Sequence, residues 1–72
     1  MPSLFEALRQ WRLERAKRDG VPAYAIAHDE TLNAIVETKP ATVAALRRCR
    51  GIGPERLARY GAEILAVVAA SP

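Results

Sequence analysis

The stretch Leu46-Arg-Arg-Cys-Arg-Gly-Ile-Gly-Pro-Glu-Arg-Leu57 places two glycines around one apolar residue, between two short patterns of helical spacing. Before Gly51, Val43, Leu46 and Cys49 recur at every third position. After it, Leu57, Ile64, Leu65 and Val68 keep the helical period. The pattern predicts a helix over about Val43 to Arg50, a tight hairpin, and a helix from Pro54 to about Ala69. Glycine reaches positive φ without steric cost, so Gly51 is expected to be a left-handed cap. Gly53 is the expected N-cap of the next helix, because Pro54 suits a first helical position whose N–H has no partner in any case. Ile52 should point inward and pin the turn.

A helix N-terminus preceded by glycines offers unpaired N–H groups that no side chain obstructs, and the helix dipole adds a preference for anions. Arg47, Arg48, Arg50, Arg56 and Arg59 surround this turn. Set against Glu55, they give residues 47–59 a charge of +4 in a chain whose formal net charge is only +3. The Gly-apolar-Gly hairpin resembles the helix-hairpin-helix element with which many DNA-binding proteins hold phosphates without reading bases.

Seventy-two residues, half of them apolar, are enough for one small core, and residues 1–72 read as a single domain with an ordered core of about 3–69. A lone cysteine allows no internal disulfide and suits a reducing, cytoplasmic setting, with Cys49 a small core residue. No apolar run approaches the length of a membrane span, and Met1 leads into a capped helix rather than a signal peptide. An intracellular, soluble protein with no membrane partner is expected.

Working outward, Ser3 and Glu6 form a capping box for a helix over about Leu4 to Asp19, whose core face is Leu4, Phe5, Leu8, Trp11 and Ala16. Arg12 falls in the same angular sector, so its stem should be buried and its head must find a partner. Arg9, Arg15, Lys17 and Arg18, interleaved with Glu6, Glu14 and Asp19, look like a solvated face. Gly20 to Ile26 is expected to be an extended connection anchored by Val21, Tyr24 and Ile26. Tyr24 reads first as an amphipathic plug with its hydroxyl at the surface, and alternatively as an exposed ring on which a base stacks. His28 or Asp29 should cap a helix carrying Thr31, Leu32, Ile35 and Val36, which Lys39-Pro40 ends. Thr42 is a natural N-cap for the helix leading into the hairpin. Gly61 lies on the buried stripe of the last helix, as a site of close approach or a kink. Glu55 and Glu63, each four residues from Arg59, can partly neutralise it, and Ser71-Pro72 is a frayed end.

Most of the chain resembles the HRDC domain, the helicase and ribonuclease D C-terminal module. The resemblance rests on Leu4-Phe5, Leu8, Trp11-Arg12 and Ala16, then Val21-Pro22, Tyr24 and Ile26, then Asp29 and Thr31-Leu32. It continues through Pro40, Gly51-Ile52-Gly53, Tyr60-Gly61 and Ile64-Leu65. It implies an all-α, compact five-helix bundle containing the helix-hairpin-helix-like Gly-Ile-Gly turn. It also implies an auxiliary module appended to RecQ-type and other DNA helicases or to ribonuclease D. Such a module binds nucleic acid or docks, without catalysis of its own. Three positions depart from the family pattern: Ala25 and Ala27 are smaller than usual, and Arg50 stands where proline is common and adds charge.

The leading expectation is a non-catalytic module, monomeric when isolated, that makes weak, sequence-independent phosphate contacts to single-stranded or junction DNA. Its candidate residues are Arg47, Arg48, Arg50, Gly51, Gly53, Arg56, Arg59, Tyr24 and Lys39. The rival is a docking module that contacts other domains of a parent helicase, favoured by the middle of the chain, where Lys39 stands against Asp29, Glu30 and Glu37. An independent enzyme is disfavoured. No carboxylate pair, metal cluster or activated nucleophile stands at usable spacing, and no cofactor or metal is expected.

Overall fold

The computed structural model describes residues 2–71, so Met1 and Pro72 lie outside it. Among the described residues the chain forms five helices: α1 (Leu4–Asp19), α2 (Ala23–Ile26), α3 (Asp29–Thr38), α4 (Val43–Arg47) and α5 (Pro54–Ala70). α1 packs against α2, α3 and α5, while α4 packs mainly on α5. The core is Leu4 and Leu8 of α1, Ile26, Leu32 and Ile35 of the middle helices, and Leu46, Ile52, Tyr60 and Ile64 around the hairpin.

α1 keeps its expected limits. Ser3 Oγ accepts from the Glu6 amide at 3.2 Å. At the other end Gly20, at φ +67°, turns left-handed, and the amides of Gly20 and Val21 return to the carbonyls of Lys17 and Ala16.

The segment after α1 differs from the sequence expectation. Residues 23–26 are a helical turn rather than part of an extended connection, with the Ala25 amide bonded to the Pro22 carbonyl at 3.0 Å. Proline restricts the residue before it and leaves those after it free. Pro22, at φ −64° and ψ 154°, simply serves as N-cap. This turn exposes Val21 and Tyr24, at 39% and 63%, and hands the anchoring role to Ile26 and Ala27, each 1% exposed. The plug reading of Tyr24 is therefore wrong: its ring lies at the surface, stacked on His28 with centroids 6.2 Å apart.

His28 is the N-cap of α3 through its backbone alone, and Asp29 and Glu30 fill the first turn, where carboxylates favour the positive end of the dipole. Lys39 ends α3 at φ +46° and Pro40 follows, buried. Thr42 caps α4, its Oγ1 accepting from the Ala45 amide at 3.1 Å. α4 stops at Arg47 rather than Arg50, because the Arg48 and Cys49 amides bond three residues back, to Ala45 and Leu46, and tighten the chain into the hairpin. Gly61 is buried on α5. A Cβ there would lie 3.2 Å from Leu57 Cδ1 of the same helix and at ordinary contact distance, 3.9 Å, from Leu46 Cδ2 of α4, so the glycine makes room for the Leu57 side chain rather than for α4. At the C-terminus the Ser71 amide still bonds the Val68 carbonyl at 3.2 Å, so the helix is closed at Ser71, while Pro72 lies outside the described residues.

Two polar assemblies join the helices. Arg12, buried in α1, donates from Nη1 to the Ala27 carbonyl at 3.0 Å and pairs with Asp29 Oδ1 at 2.8 Å. Its carboxylate partner stays in water, which avoids the cost of desolvating both charges. On the other side of α1, Glu63 of α5 divides its oxygens. Oε1 accepts from Trp11 Nε1 at 2.9 Å and Oε2 from Arg15 Nη1 at 3.2 Å. The Arg15 guanidinium also lies over the Tyr60 ring, whose hydroxyl donates to Asp19. Arg15 is thus not part of a solvated face, and Glu63 is engaged here rather than with Arg59. Trp11 does pack on the C-terminal helix, edge-on to Tyr60, but it is half-buried.

Arg12→Ala removes a buried stem and leaves the Ala27 carbonyl without this donor, and should lower stability by about 3 kcal/mol. Asp29→Asn changes only the exposed partner and should cost less than ~1 kcal/mol. Urea unfolding followed by circular dichroism distinguishes the two.

Candidate nucleic-acid interface

The hairpin has the backbone that its glycines imply. Gly51 is left-handed at φ +87°, and Gly53 is extended at φ −91°, ψ −179° as the N-cap of α5, with Pro54 at the first helical position. Ile52 points inward at 6% exposure, its amide bonded to the Cys49 carbonyl at 3.1 Å. Gly51 is required twice over: a Cβ on it would run into Thr31 Oγ1, because the turn lies against α3. Gly53 has open space around it.

No side chain caps α5. The Leu57 amide is the first to find a helical partner, at the Gly53 carbonyl, so the amides of Glu55 and Arg56 are left for water or an anion. Around this end the arginines differ in their engagements. Arg50 pairs with Glu30 at 3.1 Å and Arg59 with Glu55 at 3.3 Å, all four side chains well exposed. Arg56 donates to the Gly51 carbonyl at 3.1 Å and so braces the turn. Arg47 and Arg48, at the end of α4, are exposed and form no ion pair with any described residue. Exposed pairs of this kind are worth ~0–1 kcal/mol, so a phosphate can displace their carboxylates.

Tyr24 and Lys39 are not gathered at the hairpin. Tyr24 borders a shallow cleft with His28, Asp29 and Glu30. Lys39 lies beside Leu4, Val68 and Ser71, near the C-terminal end of α5. Conversely, Glu30, Thr31 and Ala25 belong to the surroundings of the hairpin although the sequence did not single them out for it. Ala25 shares a cleft with Gly53, Arg56 and Arg59. Only the tertiary fold brings residues 25–31 to residues 50–59, and no local spacing signals it. Among the described residues no three His, Cys, Asp or Glu side chains are grouped to hold a metal ion, and no helix is long and apolar enough to cross a membrane.

The glycine hairpin and its basic turn belong to a small all-α, five-helix domain among the described residues. A family model described as the HRDC domain matches residues 1–68, and the chain belongs to that family. It is 46% identical over 61 residues to the ATP-dependent DNA helicase UvrD2 of Mycobacterium bovis, covering 85% of this chain and 9% of that protein. It is 36% identical over 58 residues to the ATP-dependent DNA helicase RecQ of Bacillus subtilis, covering 81% of this chain and 10% of that protein. The chain therefore spans about a tenth of the length of these curated relatives. Among solved structures, HRDC domain 3 of D. radiodurans RecQ superposes with a TM-score of 0.89 at 36% identity, covering 92% of this chain and 87% of that one. The domain is an accessory module of the kind found in helicases and is not itself catalytic.

Gly51→Ala should destabilise the domain by about 2 kcal/mol or more, since it combines strained φ with the Thr31 collision. Gly53→Ser should be neutral or stabilise by a few tenths of a kcal/mol, as serine is a better N-cap. Thermal unfolding of the two variants tests this contrast.

Proposed function

We propose that this domain is an auxiliary nucleic-acid-binding module of a parent ATP-dependent DNA helicase acting in DNA repair or recombination inside the cell. It makes weak, sequence-independent contacts to single-stranded or branched DNA. The observation that carries this reading is the delivery of the uncapped α5 N-terminus, by the Gly51–Gly53 turn, into the arginine cluster. The phosphate track in this proposal comprises Arg47, Arg48, Arg50, Arg56, Arg59 and the backbone of Gly53 to Arg56. Arg47 and Arg48 meet phosphate first. Arg50 and Arg59 exchange their carboxylate partners for it. Tyr24 and Lys39 stand outside this track. Contacts to phosphate position a strand without reading it, so the dissociation constant should be on the order of 10⁻⁴ to 10⁻⁶ M at physiological salt.

The acidic residues Asp29, Glu30 and Glu37 favour a second reading, docking onto other domains of the parent protein, with Glu30 holding Arg50 back from DNA.

Fluorescence anisotropy with labelled single-stranded and forked DNA, titrated against salt, tests the proposal. With about three phosphates neutralised on a single strand, log K should fall against log salt with a slope of roughly −2. Arg47→Ala with Arg48→Ala should reduce that slope and weaken all sequences alike. Glu30→Gln, which releases Arg50, should tighten binding roughly twofold. Arg9→Ala, on the N-terminal half of α1, should change little. Absence of binding at low salt, or equal damage from Arg9→Ala, would decide for docking.

A further inference from the structure

The end of the molecule remote from the hairpin carries a second surface of opposite character. A groove of about 650 Å³ runs between the N-terminal half of α1 and the last turns of α5, with Ala7, Trp11, Val67 and Ala70 among its lining residues. Among the described residues its charged lining residues are Glu6 and Glu14, with no lysine or arginine, although the chain as a whole is basic; Glu6 has Arg9 at 3.9 Å in an exposed pair, and Glu14 is in no ion pair. The C-terminal carbonyls of α5 end beside it, adding the negative pole of a 17-residue helix. Trp11 is fixed in orientation by Glu63 on its indole nitrogen and by Tyr60 against its ring, yet it is only half-buried, and its free surface belongs to this groove. A rigid, partly exposed tryptophan in an apolar trough is the kind of residue that anchors a protein contact.

We propose that this groove takes a basic amphipathic helix of a partner protein. Its apolar face would lie against Trp11, Val67 and Ala70, and its lysines or arginines against Glu6, Glu14 and the C-terminus of α5. Trough shape and apolar floor suit a helix laid between two helices. Glu14, free of any ion pair among the described residues, and the C-terminal end of α5 select its charge, and Glu6 can exchange its weak, exposed pair with Arg9 for a partner cation. Along α5 the hairpin end at Pro54 and the near edge of the groove at Val67 are about 20 Å apart, so partner and DNA can be held together.

The experiment titrates the full chain with a synthetic amphipathic Leu/Lys helix, with a Leu/Glu helix of the same pattern as control. The readout is the emission of Trp11, the chain's only tryptophan. Saturable binding of the Leu/Lys helix with a blue shift is expected, and no response to the Leu/Glu helix. Glu14→Lys should weaken it roughly tenfold, since Glu14 otherwise contacts only the Gln10 amide at 3.2 Å and its loss spares the fold. Ala70→Arg, at an exposed floor position, should weaken it similarly, while Arg47→Ala with Arg48→Ala should leave it unchanged. Equal binding of both peptides, insensitivity to Glu14→Lys and Ala70→Arg, or a self-association abolished by Ala70→Arg would overturn the proposal, the last by making a second copy of the chain the occupant.

Discussion

The fold depends on a charge held inside it. Arg12 sits on the buried face of α1, where an aliphatic residue would satisfy the periodicity, and reaches the Ala27 carbonyl and the Asp29 carboxylate. Ala27 is itself buried at a bend between two short elements, where a backbone carbonyl lies beyond helical bonding and must find another donor. The guanidinium supplies it, and its long stem fills the space between. One side chain thus fixes where α2 ends and α3 begins relative to α1. Because Asp29 remains hydrated, the pair avoids the full penalty of a buried ion pair.

From that placement the hairpin follows. With α3 positioned, Thr31 faces the turn after α4, and the turn can approach it only through a residue without a side chain. Gly51 therefore answers a tertiary constraint as well as a backbone one. The approach also brings Glu30 to Arg50, so the acidic first turn of α3 partly neutralises the basic cluster across the interface. Electrostatics and packing come from the same contact. Arg50 and Arg59 are held in exposed ion pairs, each worth ~0–1 kcal/mol, while Arg47 and Arg48 pair with no described carboxylate.

α5 gives the domain its polarity. Its N-terminus opens into arginines and bare amides, while its C-terminus closes over an apolar trough with carboxylates on the rim. Between these ends Glu63, Arg15, Trp11, Tyr60 and Asp19 lock α5 to α1. The helix thereby acts as a rigid spacer between its two ends.

The long helices, their caps, the Gly51–Gly53 turn, the buried Arg12 and the family resemblance were legible in the sequence. Each rests on contacts within a few residues or on a period that repeats, as with Ser3 and Glu6, Thr42 and Ala45, or Gly53 and Pro54. The helical turn at Ala23–Ile26 was not legible, since four residues carry too short a period and its stability comes from Ile26 and Ala27 packing under α1. Nor were the partners of the charges. Glu63 lies four residues from Arg59, as a helical ion pair would require, yet it bonds Trp11 and Arg15, 52 and 48 residues away. Arg50 finds Glu30 across 20 residues, and Tyr24 and Lys39 fall outside the hairpin altogether. The long helices, the glycine turn and the accumulation of positive charge can be read along the chain, because those properties are local. Which arginines are free, which carboxylates hold the others and which apolar face stays open follow from the folded chain alone, because an ion pair or a buried surface depends on distances through space that spacing along the chain does not encode.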